Sequence, residues 1–304
     1  MVTNKRIDES TRLAILGAIK AGEGNRGVGR TYGVGESSVR RIRAGEELQA
    51  HAENKNVVKR VLVLSDVHWP EVHRPTLNIA LQMMQDMSFD GFVFLGDQFD
   101  NSVISHHNKG KGLLKPRGAF YLEETSFDEE VLKPIERLMK PDSFRVWIKG
   151  NHDHWETQYV EEYPELAGKI ERDISLKLGE RGWQVVECGK AFTHGKLTYI
   201  HGESLSGSNH SKKALEVYCT NVLYGHFHGP QSATKILPHD QSQKWQAWCS
   251  PIVGECNPYY MRNKPSGWSN GFTVVEYRHN GNFNLYPVIT SGNEASYGGK
   301  IYRA

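Results

Sequence analysis

Five short clusters of histidine, asparagine and carboxylate residues occur along this 304-residue chain: Asp66-x-His68, Gly96-Asp97-x-x-Asp100, Gly150-Asn151-His152-Asp153, His201-Gly202 and Gly225-His226-x-His228. Imidazole and carboxylate are the donors that suit zinc, manganese, iron and similar ions. Seven candidate ligands are too many for one tetrahedral site, whereas two neighbouring ions with a bridging carboxylate use them all. Taken alone, a His or Asp at a strand end is an ordinary polar group or cap. The ordered set is what points to metal chemistry.

Each cluster follows a short apolar run. Val57–Leu64 ends in Ser65-Asp66, Phe92–Leu95 in Gly96-Asp97, Phe144–Lys149 in Gly150-Asn151-His152, Leu197–Ile200 in His201-Gly202, and Val222–Tyr224 in Gly225-His226. Continuous apolar runs of this length read as buried strands, and in open α/β sheets ligands gather beyond the carboxyl ends of the strands. Such a sheet brings all five clusters to one edge. The intervening stretches Thr76–Met87 and Phe127–Met139 supply covering helices. The close pairs Asp66/His68 and His226/His228 fit either a strand end, where i and i+2 share a face, or a turn at its exit.

The ordered motifs D-x-H, G-D-x-x-D, G-N-H-D, H-G and G-H-x-H closely resemble those of the calcineurin-like metallophosphoesterases, which include phosphoprotein phosphatases, cyclic-nucleotide phosphodiesterases and DNA-repair nucleases. The resemblance runs from about Val57 to His228. It implies an α/β fold, a layered β-sandwich flanked by helices, and two divalent ions; manganese is the ion expected first, with iron, zinc or nickel as alternatives. It further implies that Asp66, His68 and His228 hold one ion, that Asn151, His201 and His226 hold the other, and that Asp97 bridges them. In such sites the ions lie roughly 3.5 to 4 Å apart, clamp phosphate oxygens and lower the pKa of a bound water to about 7. By the same resemblance His152 protonates the leaving oxygen or steadies its charge, Asp153 orients the His152 imidazole, and Asp100 aligns a ligand or the water.

Other stretches leave two readings open. His106, His107, Lys109, Lys115 and Arg117 either line a phosphate entrance or form a solvated loop, and Tyr259, Tyr260 and Trp268 either stack on bases or pack. His154, His194, His210, His239 and His279 match no ligand position of the family. In the tail, Trp245–Cys249, Phe272–Tyr277 and Phe283–Ile289 read as strands, the last two joined by an Asn280-Gly281 hairpin turn. They are expected to add edge strands to the second sheet.

The net charge of +2 is unevenly spread. Residues 1–55 hold ten Lys or Arg against seven Asp or Glu, while the remainder holds 27 against 28. This arm reads as helical: Leu13, Ile15, Leu16 and Ile19 form an apolar stripe that Gly22 and Gly24 end, Arg26–Tyr32 is a short helix, Gly33-Val34-Gly35 a turn, and Glu36–Arg43 a further helix. Val28, Tyr32, Val34, Val39 and Ile42 form its apolar set. The pattern resembles the helix-turn-helix of resolvases, transposases and many phage proteins, so that Ser37, Ser38, Arg40, Arg41 and Arg43 contact phosphates or bases, unless the arm is instead a packing element.

With 38% hydrophobic residues the chain can bury a sizeable core. No apolar run approaches the ~18 residues of a membrane-spanning helix, and the start MVTNKRIDES lacks a secretory apolar stretch, so a cytoplasmic location is expected. Cys188, Cys219, Cys249 and Cys256 include no C-x-x-C pair, which argues against a zinc finger or a disulfide scaffold. The organisation read from sequence is a basic helix-turn-helix-like module, residues 1–55, before a metallophosphoesterase domain, residues 57–304. The expected activity is phosphodiester hydrolysis on nucleic acid or a nucleotide derivative. The alternatives are a phosphomonoesterase acting on phosphoprotein or a small molecule, and a DNA-binding adaptor with a vestigial catalytic fold.

Overall fold

The computed structural model describes residues 7–45, 58–108, 118–258, 261–262 and 264–304. Lys109, Lys115, Arg117, Tyr259 and Tyr260, the side chain of His107 and both ends of the basic arm lie outside the described residues. The chain divides into two compact units, Met1–Val57 and Val58–Ala304.

In the first unit, α1 (Glu9–Lys20) is N-capped by Asp8, whose carboxylate accepts from Thr11 N at 2.9 Å. It is followed by α2 (Asn25–Thr31) and by α3 over residues 36–45. Ile15, Ala18, Val28 and Val39 form the small core, with Ile19, Tyr32, Val34 and Ile42 packed against it. Leu13, counted in the apolar stripe, is instead 61% exposed. Gly29 weakens helix propensity for a packing reason: a Cβ there would stand 2.9 Å from Val34 O in the turn.

The second unit is layered, with helices outside two packed sheets. The first sheet has the order β11-β10-β1-β2-β3-β4. Its members are β1 (Lys59–Leu64), β2 (Gly91–Leu95), β3 (Phe144–Ile148), β4 (Gln184–Val186), β10 (Gly271–Tyr277) and β11 (Phe283–Ile289). β1 to β4 are mutually parallel. The second sheet, in the order β5-β6-β7-β9-β8, comprises β5 (Phe192–His194), β6 (Leu197–Ile200), β7 (Val222–Tyr224), β8 (Gln231–Leu237) and β9 (Asp240–Cys249). A separate hairpin pairs β12 (Glu294–Tyr297) with β13 (Lys300–Arg303).

Strand alternation builds the layers. Val61, Val63, Val93, Leu95, Val146 and Ile148 point between the sheets and meet Leu197, Tyr199 and Leu223. The intervening residues Leu62, Leu64, Phe92, Phe94 and Trp147 point the other way. They pack under α4 (Arg74–Asp86), α5 (Ala119–Phe127) and α6 (Lys133–Leu138). A π-helical turn, Asp128–Leu132, joins α5 to α6 just before Pro134, whose missing N–H and bulky ring an ordinary α-helix does not accommodate. The remaining helices are α7 (Asn151–Glu162), α8 (Arg172–Ser175) and α9 (His210–Tyr218), the last covering the outer face of the second sheet through Ala214 and Leu215.

The tail strands correct the sequence expectation. β10 and β11 join the first sheet, not the second, with β10 antiparallel to β1 in the register Val61↔Val275. Phe272 and Val274 supply the helix-side core while Val275 and Tyr277 supply the inter-sheet core, so β10 is buried on both faces and suits an interior position. Tyr277 also bonds Tyr199 across the layers, hydroxyl to hydroxyl at 2.7 Å. β9 lies inside the second sheet, leaving the edge to β8.

Candidate metal centre

β1, β2 and β3 of one sheet and β6 and β7 of the other all end at the same place, so the five clusters converge from two sheets, not from one. The chain leaves the strands through turns. Asp66, His68, Asp97, His226 and His228 have φ values of 53°, 48°, 53°, 68° and 63°, a left-handed conformation that non-glycine residues rarely adopt. This local cost persists only where surrounding contacts enforce it. Asp66 N donates to Gly96 O and His68 N to Asp97 O, each at 3.0 Å, and Gly225 N donates to His201 O at 2.8 Å.

The glycines of the motifs are explained by close approach. A Cβ at Gly150 would lie 2.6 Å from Asp97 N, one at Gly96 would lie 2.5 Å from His201 Cγ, and one at Gly225 would lie 2.5 Å from Asp66 Oδ2. Each glycine makes room for a candidate ligand from another cluster.

The side chains assemble into three groups, Asp66/His68/His228, Asp97/His201/His226 and His68/Asp100/His152, of which the first two contain only expected ligands. In the first, His228 Nε2 lies 3.1 Å from Asp66 Oδ1 and 3.2 Å from His68 Nε2. In the second, His201 Nε2 lies 3.1 Å from both Asp97 Oδ2 and Asn151 Oδ1. Metal bonds of ~2.1 Å place neighbouring donor atoms roughly 3 to 3.5 Å apart, so these spacings fit donors turned toward a common ion. The His/Asp clusters are consistent with a dinuclear metal site.

Electrostatics fit that use. Burial, then the neighbouring His152 and His228 rings, push His68 down to about 3, leaving a neutral imidazole with a lone pair to give. Burial opposes charge on His201 too, but the Asp97 and Asp66 carboxylates outweigh it and raise the ring to about 10. Asp66 and Asp97 stay ionised despite full burial, drawn down chiefly by His228 and His201 respectively. A buried pair of carboxylates that attracts positive charge this strongly suits a divalent cation.

His152 sits beside these groups. Its Nδ1 donates to Asp100 O at 2.8 Å, and its backbone N–H donates to Asp97 Oδ1 at 2.8 Å. Asp100 Oδ1 also lies 3.8 Å from His68 Nδ1 and 3.9 Å from His152 Nδ1. Asp153 does not have the expected task of orienting the His152 ring. Its Oδ2 accepts from Gly150 N and Asp97 N, both at 2.8 Å, because the start of α7 and the β2 exit present unpaired N–H groups there. Burial and the nearby Asp97 raise this carboxyl to about 7.

Several contributors were not read from sequence. Asn101, next to Asp100, donates from Nδ2 to His152 O at 3.0 Å and to Glu156 Oε1 at 2.9 Å. Glu156 accepts from Arg172 N at 3.0 Å, and the buried Arg172 guanidinium lies over the Phe99 and Phe120 rings at 3.6 and 4.1 Å. The Asp153/Glu156 spacing of three on one helix face was the available signal. A cavity of about 420 Å³ opens beside His68, Asn151, His152 and His228, walled by Trp155 and Trp268. Of the aromatic residues weighed for stacking, Trp268 thus borders the site. His106 lies in a short 3₁₀ turn, His106–Asn108.

In the first unit, Ser37 and Arg41 are exposed, and Arg41 has no partner among the described residues. Ser38 is half-buried. Arg40 pairs with Glu36 at 2.7 Å, and Arg43 donates to Glu23 O at 2.7 Å. Arg43 therefore ties α3 to the loop before α2, because its guanidinium finds a carbonyl left unpaired there.

The sequence pattern of the calcineurin-like phosphoesterases matches residues 59–230, more than half of the chain. The chain belongs to this family. A curated relative, the gene 54 protein of Mycobacterium phage L5, is 22% identical over 231 residues, covering 71% of this chain and 88% of that protein. Among solved structures, vacuolar protein sorting 29 from Cryptosporidium parvum aligns with 82% of this chain and 100% of its own at 10% identity, TM-score 0.41. A nuclease, MPE from Pseudomonas putida, aligns with 75% of this chain and 87% of its own at 16% identity, TM-score 0.32. Among the described residues no helix is long and apolar enough to cross a membrane.

Proposed function

We propose that this phosphoesterase uses two divalent ions, manganese first among them, to hydrolyse phosphodiester bonds in nucleic acid or a nucleotide derivative. Asp66, His68 and His228 would hold one ion and Asn151, His201 and His226 the other, with Asp97 shared between them. The observation that carries this reading is the position of Asp97, whose Oδ2 lies 3.1 Å from His201 Nε2 of one group and 4.0 Å from His68 Nε2 of the other. When bound, the ions supply a water of lowered pKa and a clamp for phosphate oxygens.

The chain's own groups do the rest. With Nδ1–H donated to Asp100 O, a doubly protonated His152 ring has its Nε2–H left to give to the leaving oxygen, whereas the neutral ring would offer only a lone pair there. Asp97 Oδ1, by accepting from His152 N, fixes the acid relative to the bridge. Asp153 locks the Asp97 and Gly150 backbones, and Asp100 aligns His68 and His152. The diester preference is supported by the basic arm, whose three short helices and exposed Arg41 suit contact with phosphates.

The test is a substrate panel with added manganese. Bis-p-nitrophenyl phosphate is expected to be cleaved more efficiently than p-nitrophenyl phosphate, and single- or double-stranded DNA or RNA better still. A clear preference for the monoester would replace the diesterase reading with a phosphomonoesterase.

A further inference from the structure

We infer that the cavity beside the metal centre is a nucleobase subsite, in which a planar ring stacks against Trp155 and Trp268 while its phosphate reaches the two ligand groups. This deepens the phosphodiesterase reading and rests on it for the position of the phosphate.

The two indoles stand at the ends of a continuous arc of rings. Trp155 lies on His152 with centroids 4.0 Å apart at 34°; His152 meets His68 at 4.7 Å; His68 meets His228 at 5.1 Å; His228 meets Trp268 at 4.2 Å. The phosphate-handling groups form the middle of the arc, so an ester seated there carries its substituents toward the tryptophans. The volume of about 420 Å³ is within the range of roughly 300 to 1,000 Å³ that small-ligand sites occupy.

The lining selects the class of substituent. Among the described residues the lining holds Asp100 as its one carboxylate and no Lys or Arg. A neutral flat ring needs only aromatic faces and a few hydrogen-bonding edges. The polar side chains of Ser102 and Asn108, which follow Asp100 in the chain, line the same cavity, and Asn108 Nδ2 donates to Ser102 O at 3.0 Å. The Ser102 hydroxyl is buried with no hydrogen-bond partner among the described residues. Every base offers a π-face, so stacking here favours nucleotides without selecting one sequence.

The manganese-loaded full chain tests this through competitive inhibition of bis-p-nitrophenyl phosphate hydrolysis by adenosine 5′-monophosphate, ribose 5-phosphate and inorganic phosphate. The nucleotide should inhibit about tenfold or more better than ribose 5-phosphate, the scale of one base–aromatic stack. Trp155→Leu and Trp268→Leu should each shrink that ratio, whereas Trp268→Phe, which keeps a ring, should retain most of it. Because the ratio is taken within each protein, damage to the metal centre cancels. If a leucine variant does not fold, the wild-type ratio still decides: equal inhibition by nucleotide and sugar phosphate overturns the subsite, as does a ratio unchanged in both leucine variants. Should the protein cleave no diester, the same competition is read with p-nitrophenyl phosphate. A nucleotide advantage there removes the diesterase reading and keeps the subsite, whereas diester cleavage without that advantage removes the subsite alone.

Discussion

Gly150→Ala isolates the bridging carboxylate without touching any ligand. The backbone at Gly150 has φ −92° and ψ −171°, which alanine adopts without strain, so the perturbation is steric alone. The new Cβ would stand 2.6 Å from Asp97 N and 2.8 Å from Asp97 Cγ. Asp97 Oδ1 stands closer still, so restoring an ordinary separation of about 3.5 Å requires a relative shift of more than about 1 Å. The overpacking should cost about 1–3 kcal/mol of stability. The functional loss should be larger, because Asp97 Oδ2 faces His201 while Oδ1 holds the His152 N–H, so one displacement disturbs the bridge and the acid together. A misplacement of about 1 Å lowers turnover on the order of 10²-fold. The assay is metal content by elemental analysis together with kcat on bis-p-nitrophenyl phosphate. Gly27→Ala, where nothing lies within 4 Å of a new Cβ, is the control and should leave both unchanged. A Gly150→Ala protein with two ions and near-native turnover would refute the reasoning.

His152→Ala should retain metal and lose about 10² to 10⁴-fold in rate on diesters with poor leaving groups, with a smaller loss on p-nitrophenyl esters; equal losses on both would contradict the acid role. Burial raises Glu156 to about 8 against an ordinary 4.5, with Arg172 pulling the other way. The folded chain therefore binds an extra proton between those values, and this contribution to stability is full below pH 4.5 and declines as pH rises to about 8. Glu156→Gln should flatten that decline in urea midpoints taken at pH 5 and pH 8, and an unchanged difference would count against it. Arg41→Ala should reduce the slope of log affinity against log salt for DNA by about 0.7 to 0.9, whereas Arg43→Ala should chiefly lower the melting temperature of the arm; identical salt slopes in wild type and Arg41→Ala would argue that the arm packs and does not bind phosphate.

The candidate ligands were legible because each sits where an apolar run stops, and a strand end is a local signal. The assignment of β10 and β11 to a sheet was not, since Phe272–Tyr277 carries apolar residues on both faces and nothing local says which strand it will border. The role of Asp153 was misread for a related reason. Its place beside His152 in sequence suggested a partnership, but in the first turn of a helix a carboxylate reaches back to unpaired N–H groups instead. Arg43 was likewise read as a phosphate contact because its partner, the Glu23 carbonyl, lies twenty residues away with no sequence mark. Trp155 stands one helical turn from His152 and so could have been placed beside it by spacing, while Trp268 reaches the cavity only through the tertiary fold.

The shared bridge is the central claim, and metal titration of wild type and Asp97→Asn under saturating manganese tests it most directly. The account predicts two ions per wild-type chain and weakened binding of both in the variant, since one carboxylate serves both groups. One ion or none in the wild type, or two ions held with undiminished affinity by Asp97→Asn, would contradict it.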